Sequence, residues 1–281
     1  MNGNHSRNCG GAMTDSYAVL RRFDSMVNDV CLVSEVASGR RFVRKVYGSV
    51  AKQTGVSLPL ERACLEYRTY LMFESKCELL HGGIVVPRVR DRSRHETWIE
   101  TEYLEGAVPL RQLALTDWPG DTCFLALGKT IAAIGSLKFA DFSSLFLGFW
   151  DVQQQLGKAI RDFKLDPTVS QAYHPPSTNR DAVLALGDLS LGNILAWQAK
   201  LALIDFEFVH VSSQGYDAGQ LLAEIRVLRS NADYHVDKHL DRCERAFLEG
   251  YASIGGDISH ALFWAERFAP YYRERVRTLR R

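Results

Sequence analysis

No apolar run in this chain approaches the ~20 residues that a membrane-spanning helix needs. The longest, such as SLFLGFW, stop far short. No Cys-x-x-Cys pair or tight cysteine cluster is present, and the six cysteines (Cys9, Cys31, Cys64, Cys77, Cys123 and Cys243) are scattered. That spacing argues against a zinc site or disulfide framework and for reduced, mostly buried thiols. Neither sign of charge is in excess: 34 Lys and Arg against 33 Asp and Glu leave a formal net charge of +1. Bulk attraction to nucleic acid or to an anionic membrane is therefore not expected. Histidines are dispersed, and only His235 and His239 share a helix face at i, i+4, so no histidine metal centre is expected either. The opening segment MNGNHSRNCGGAMTDSY lacks the apolar stretch of a signal peptide. Being polar and Gly-rich, residues 1–15 are expected to be disordered, and the protein cytoplasmic.

What is present is ordinary globular chemistry: 281 residues, 46% hydrophobic and 24% charged, enough for one core or two lobes around a cleft. SYAVLRRF, DVCLVSEV and RRFVRKVY alternate as strands, with the turn signal ASGR between the last two. PLERACLEYRTYLMFESKCELL, residues 59–80, has a helical period with Cys64, Leu65, Leu71, Met72 and Leu79 on its apolar face. IVVPRVRD and ETWIETEYL resume strand character. Helical patterns then cover 121–139, parts of 142–164, 217–230, 238–254 and 259–279, while KLDPTVSQAYHPPSTNRD predicts a loop or short-helix connection.

The most informative block lies between residues 186 and 225. LGDLSLGNIL places Asp188 and Asn193 five residues apart; LALIDFEF follows with Asp205, and then GYDAGQLLAEI. Two short strands joined by a turn would bring Asn193 beside Asp205, with Asp188 on the loop just before them. Phosphoryl transfer from a nucleotide uses this set of oxygens: one carboxylate orients the attacking hydroxyl, and an amide oxygen with a second carboxylate holds Mg²⁺ on the phosphates.

GDLSLGNIL, IDFEF and GYDAG together resemble the catalytic core of the aminoglycoside phosphotransferase and choline kinase branch of the protein-kinase-like fold. The resemblance implies an α+β, two-lobed chain. Residues 16–106 would form a small antiparallel-sheet N-lobe with one helix, and 107–281 a mainly helical C-lobe. It implies a small-molecule kinase that takes ATP, or GTP, with Mg²⁺. The γ-phosphoryl group would pass to a hydroxyl of a sugar, amino-alcohol, nucleoside or antibiotic natural product. Asp188 takes the catalytic position, and Asn193, Asp205 and Glu207 the metal positions. Lys45 matches the nucleotide-binding lysine and Glu66 its ion-pair partner, with Glu61 as a rival. The turn Asp24-Ser25-Met26-Val27-Asn28 stands in for the phosphate loop through Ser25 and Asn28. TEYLEG matches the adenine linker through the backbone of Glu102, Tyr103 and Leu104, and Asp217 is expected to buttress the catalytic loop.

The chain departs from the pattern twice. No GxGxxG precedes the second strand, and Leu186 stands where a histidine is usual two residues before the catalytic aspartate. A protein serine/threonine kinase is the alternative, disfavoured by the short span between IDFEF and GYDAG. A non-catalytic nucleotide-binding pseudokinase is the other. Trp150, Trp264, Tyr271 and Tyr272 are possible walls of an acceptor site, although aromatics at helical spacing are more often core.

Overall fold

A computed structural model of the chain describes residues 17–25, 27–51, 55–92, 97–113, 117–173 and 182–279. The expected disorder of 1–15 falls outside them, as does Met26 of the phosphate turn. The first half contains β1 (Tyr17–Phe23), β2 (Asp29–Glu35), β3 (Arg41–Val46), α1 (Arg62–Ser75), β4 (Ile84–Val85), β5 (Val89–Arg92) and β6 (Trp98–Glu102). Five strands make one antiparallel sheet in the order β1-β2-β3-β6-β5. At the ASGR turn, Gly39 takes φ +66 and its N–H donates to Glu35 O at 2.8 Å, a backbone shape that favours glycine.

Because side chains alternate along β3, the adjacent cations Arg44 and Lys45 point to opposite faces. Arg44 lies over the rings of Tyr17 (4.7 Å) and Trp98 (4.9 Å) and pairs with Glu100. Lys45 faces α1. That helix runs from Arg62 to Ser75, and the backbone of Lys76 leaves the helical region before a 3₁₀ turn over Cys77–Leu79. It is thus shorter than the expected 59–80. Leu71, assigned above to the apolar face, is 38% exposed. The buried stripe instead runs Arg62, Glu66, Tyr70 and Phe73, at near-helical spacing.

The IVV segment also differs from expectation. β4 does not join the first sheet but pairs in parallel with a strand from the second half, Leu201 opposite Ile84.

The second half contains β7 (Val108–Pro109), α2 (Asp121–Gly135), α3 (Phe139–Phe142), α4 (Trp150–Lys164) and α5 (Pro167–Ala172). There follow β8 (Val183–Ala185), β9 (Ile194–Trp197), β10 (Lys200–Leu203), β11 (His210–Ser212), α6 (Tyr216–Arg229), α7 (Tyr234–Ser253) and α8 (Ile258–Leu279). β9 and β10 form a hairpin whose two turn residues, Gln198 and Ala199, both have positive φ (48° and 59°), the geometry that matches strand twist. This hairpin is flanked by β4 and β7 in a four-stranded sheet of order β4-β10-β9-β7, and β8 pairs with β11. α5 is a short helix in the stretch expected to be a loop or short-helix connection; Asp166 caps it, accepting from Thr168 N at 2.9 Å, with Pro167 in the first turn.

α2 and α7 cross at glycines: a Cβ on Gly128 would lie 2.0 Å from Phe247 O, and one on Gly250 2.0 Å from Leu125 O. One connected core runs from Tyr47, Phe73 and Ile99 to Leu203, Phe206 and Phe247. Among the described residues no single helix is long and apolar enough to cross a membrane.

Candidate active site

The strand β3, helix α1 and the chain after β10 converge on one ammonium group. Lys45 Nζ donates to Glu66 Oε2 at 2.7 Å and to Asp205 Oδ1, and lies 3.5 Å from Glu207 Oε2. Glu66 is the partner rather than Glu61, which is exposed at the helix start. Its Oε2 also accepts from Tyr47 Oη (2.6 Å), and its Oε1 from Phe206 N (3.3 Å). Between the two acids of the IDFEF run, Phe206 enters the core against Tyr70 (4.9 Å) and Phe73 (5.2 Å). Burying that ring stabilises the junction by about 2–3 kcal/mol. Asp205 itself takes φ +68, a left-handed conformation that aspartate tolerates better than most residues.

Burial alone would drive the Lys45 ammonium toward neutrality, but Asp205, Glu207 and Glu66 outweigh it and hold its pKa well above the ordinary lysine value. Asp205 is raised to about 7, chiefly by burial and by Glu207 and Glu66, against the pull of Lys45. The carboxylates of Glu66, Asp205 and Glu207 approach within 4.8 Å of one another. They are not equally open: the Asp205 side chain is 30% exposed, those of Glu66 and Glu207 only 1% and 3%. Mg²⁺ sheds its waters reluctantly and keeps several when bound, so of these acids Asp205 suits it.

Glu207, expected at the metal, turns inward and has partners of its own. Its Oε2 accepts from Asn28 Nδ2 (2.7 Å) and Arg62 Nε (3.1 Å). Asn28, expected in the phosphate turn, is likewise buried, and its Oδ1 accepts from Arg62 at 2.9 Å. Arg62 completes its bonding on the carbonyls of Gly48 (2.6 Å) and Pro59 (2.7 Å). Ser25 Oγ accepts from Asn28 N (3.1 Å) and Val27 N (3.4 Å), which closes the turn on itself.

Asp188 follows β8 on a loop braced from below. Leu186 N and Gly187 N donate to Asp217 at 2.7 and 3.0 Å, so Asp217 holds the loop directly. Gly187 has φ +87, and a Cβ there would sit 2.1 Å from Phe208 O, so the tight approach requires glycine. Leu186 is 2% exposed and belongs to the core. Burial raises the Asp217 carboxyl to about 6 in spite of these two N–H donors and Lys164.

Lys164, from the end of α4, donates to Asp188 Oδ1 and, at 2.6 Å, to Gln220 Oε1. Burial would lift the Asp188 carboxyl, but Lys164, with Arg111 and Arg275 beyond it, holds it below the usual range. Asn193 Nδ2 donates to the Asp188 carbonyl at 2.9 Å, which leaves its Oδ1 for another partner. Ile204 N donates to Asn193 O at 3.1 Å, so the hairpin brings Asn193 alongside the residue preceding Asp205. An amide oxygen and a partly exposed carboxylate are oxygen donors of the kind that suit Mg²⁺.

No family model matches the sequence, and no curated protein matches it. Among solved structures, an ethanolamine kinase from Plasmodium vivax superposes with a TM-score of 0.52 at 13% identity, covering 92% of this chain and 73% of that one. The fold is the protein-kinase-like one. A macrolide 2′-phosphotransferase from Brachybacterium faecium also aligns, at TM-score 0.47 and 16% identity, over 89% and 92% of the two chains.

In this kinase-like fold the remaining expected residues fall at the end of β6. Glu102 is exposed, Tyr103 half-buried and Leu104 6% exposed. Glu102 N is spent on Arg88 O (2.8 Å) and Leu104 O on Ala107 N (3.1 Å). Trp264 (2%) and Tyr272 (1%) belong to the core, whereas Trp150 is 43% exposed. Sequence reasoning missed Arg62, Lys164 and Gln220. The first carried a signal, since it stands one helical turn before Glu66 on the same face. The other two are brought in from α4 and α6 by tertiary packing and had no local signature.

Proposed function

We propose that the protein is a small-molecule kinase that moves the γ-phosphoryl group of ATP, or GTP, to a hydroxyl. The observation that carries this reading is that Lys45, Glu66 and Asp205 meet at one point, while Asn193 ties the Asp188 loop to the hairpin leading there. Asn193 and Asp205 would hold Mg²⁺, which supplies positive charge to the phosphates when bound. Glu207 serves differently, as the buried anchor of Arg62 and Asn28.

On this reading Lys45, held as an ammonium by the surrounding carboxylates, faces the non-transferred phosphates, and the N–H groups of Tyr103 and Leu104 meet adenine. Asp188, kept ionised by Lys164, orients the acceptor hydroxyl. A bond forms from that oxygen to the γ-phosphorus, the bond from phosphorus to the β–γ bridging oxygen breaks, ADP leaves with the electron pair, and the hydroxyl proton passes to Asp188. Such a transition state is loose, so positioning and charge carry most of the rate. The shared fold with an ethanolamine kinase agrees with this reading. Residues 208–215 connect the Asp205–Glu207 segment to α6 and hold only β11, which leaves no room for the long activation segment of a protein kinase.

The test is ADP formation across a panel of hydroxyl-bearing metabolites and antibiotics. With the responding acceptor, Asp188→Ala is expected to lower turnover by about 10²–10⁴-fold with the KM for ATP little changed. Full turnover by that variant would remove Asp188 from the mechanism.

A further inference from the structure

The charges around Asp188 do not suit a cationic acceptor. Among the described residues, each nearby carboxylate already has its counter-charge or donors. Asp188 is held by Lys164. Glu224 accepts from Arg111 Nε (3.0 Å), Arg111 Nη2 (2.7 Å) and Leu191 N (2.8 Å). Asp217 is occupied by two loop N–H groups.

The cations do not balance in the same way. Arg275, half-buried on α8, makes one hydrogen bond, Nη1 to Tyr271 Oη at 3.1 Å, and no ion pair among the described residues. Tyr271 lies one turn earlier, its ring 5.4 Å from that of Phe163. Lys164 Nζ stands 5.9 Å from the Tyr271 centroid, and this same ammonium holds Asp188. Contact by contact, the chain Arg275–Tyr271–Lys164–Asp188 leads from a guanidinium with no ion pair among the described residues to the group that orients the acceptor hydroxyl. The influence of Arg275 and Arg111 on the Asp188 carboxyl agrees with that proximity.

We infer that Arg275, with the Tyr271 hydroxyl, recognises an anionic group, carboxylate or phosphate, on the acceptor whose hydroxyl meets Asp188. The inference rests on the kinase reading above and narrows its acceptor to hydroxy acids or phosphorylated polyols. A guanidinium with open N–H donors binds such oxyanions in a planar, two-point fashion. A quaternary amine or polyamine entering the same space would meet the Arg275 charge and, among the described residues, no carboxylate without a counter-charge or donors of its own.

The experiment uses one scaffold in four charge states: glucose, glucosamine, gluconate and glucose 6-phosphate. Each is added to the full chain at matched ionic strength, and thermal midpoints are read with and without Mg·ATP. Gluconate, glucose 6-phosphate or both are expected to raise the midpoint above glucose and glucosamine, and which one does so separates carboxylate from phosphate recognition. That rise should vanish in Arg275→Gln and persist in Arg273→Gln, a change at an exposed arginine of the same helix. If an anionic member is turned over, Arg275→Gln should raise its KM tenfold or more while kcat and the KM for ATP hold. The inference is overturned if neither anion stabilises the wild type, if glucose or glucosamine stabilises it more, or if Arg275→Gln keeps the response. Failure of the kinase reading registers separately, as absence of a midpoint shift with Mg·ATP that Lys45→Met abolishes.

Discussion

Arg62 offers the sharpest test of how the nucleotide-facing side of the cleft is held. Its side chain is fully buried, and its guanidinium bonds to Glu207, Asn28, Gly48 O and Pro59 O. Arg62→Met keeps most of the stem but leaves the Glu207 carboxylate, 3% exposed, without its closest cation. Removing one member of a buried ion pair costs roughly 3–5 kcal/mol. Lys45, 3.5 Å from the same carboxylate, and the amide of Asn28 remain, which sets the loss near the lower end, about 3 kcal/mol. Against a typical total of about 5–15 kcal/mol, that is a large fall in the urea midpoint followed by tryptophan fluorescence. If the stranded charge is the cause, Arg62→Met with Glu207→Gln should regain most of the loss, a strongly non-additive cycle. A single variant within about 1 kcal/mol of wild type, or a double variant costing the sum of the two singles, would refute the reasoning.

Two further outcomes follow from groups described above. The Asp217 carboxyl sits at about 6 in the fold against an ordinary value near 3.9 when unfolded, so the folded chain binds the extra proton between them. Its stabilising contribution is complete below about pH 3.9 and is lost as pH rises through about 6, a change of about 3 kcal/mol. Melting curves from pH 4 to 8 should therefore show Asp217→Asn losing less stability with rising pH than wild type, and parallel curves would exclude the assignment. Gly128→Ala places a methyl 2.0 Å from Phe247 O and forces α2 and α7 apart, for a loss of about 1–3 kcal/mol in urea unfolding. A neutral Gly128→Ala would mean that the helix crossing is looser than described.

The strands around Lys45 and the Asp188–Asp205 hairpin are legible in the sequence because period-2 alternation and turn residues are local signals. α1 shows where that reading fails. Its interior face carries Arg62, Glu66 and Thr69, so hydrophobic periodicity is weak and points to Leu71, which is exposed. β4 was misplaced because parallel pairing with β10 leaves no trace in a two-residue strand. α5 is legible through Asp166 and Pro167, and falls in the stretch expected to hold a loop or short-helix connection. Lys164 and Gln220 became visible only once α4 and α6 were packed beneath the Asp188 loop.

The parallel pairing of β4 with β10 has a mechanical consequence. The polypeptide leaves the five-stranded sheet twice to join the hairpin sheet, once at Ile84–Val85 and again at Val108–Pro109, on opposite edges of β9 and β10. Both edges of the hairpin that leads into Asp205 are thereby tied to the segments flanking the five-stranded sheet, α1 on the way to β4 and β6 on the way to β7.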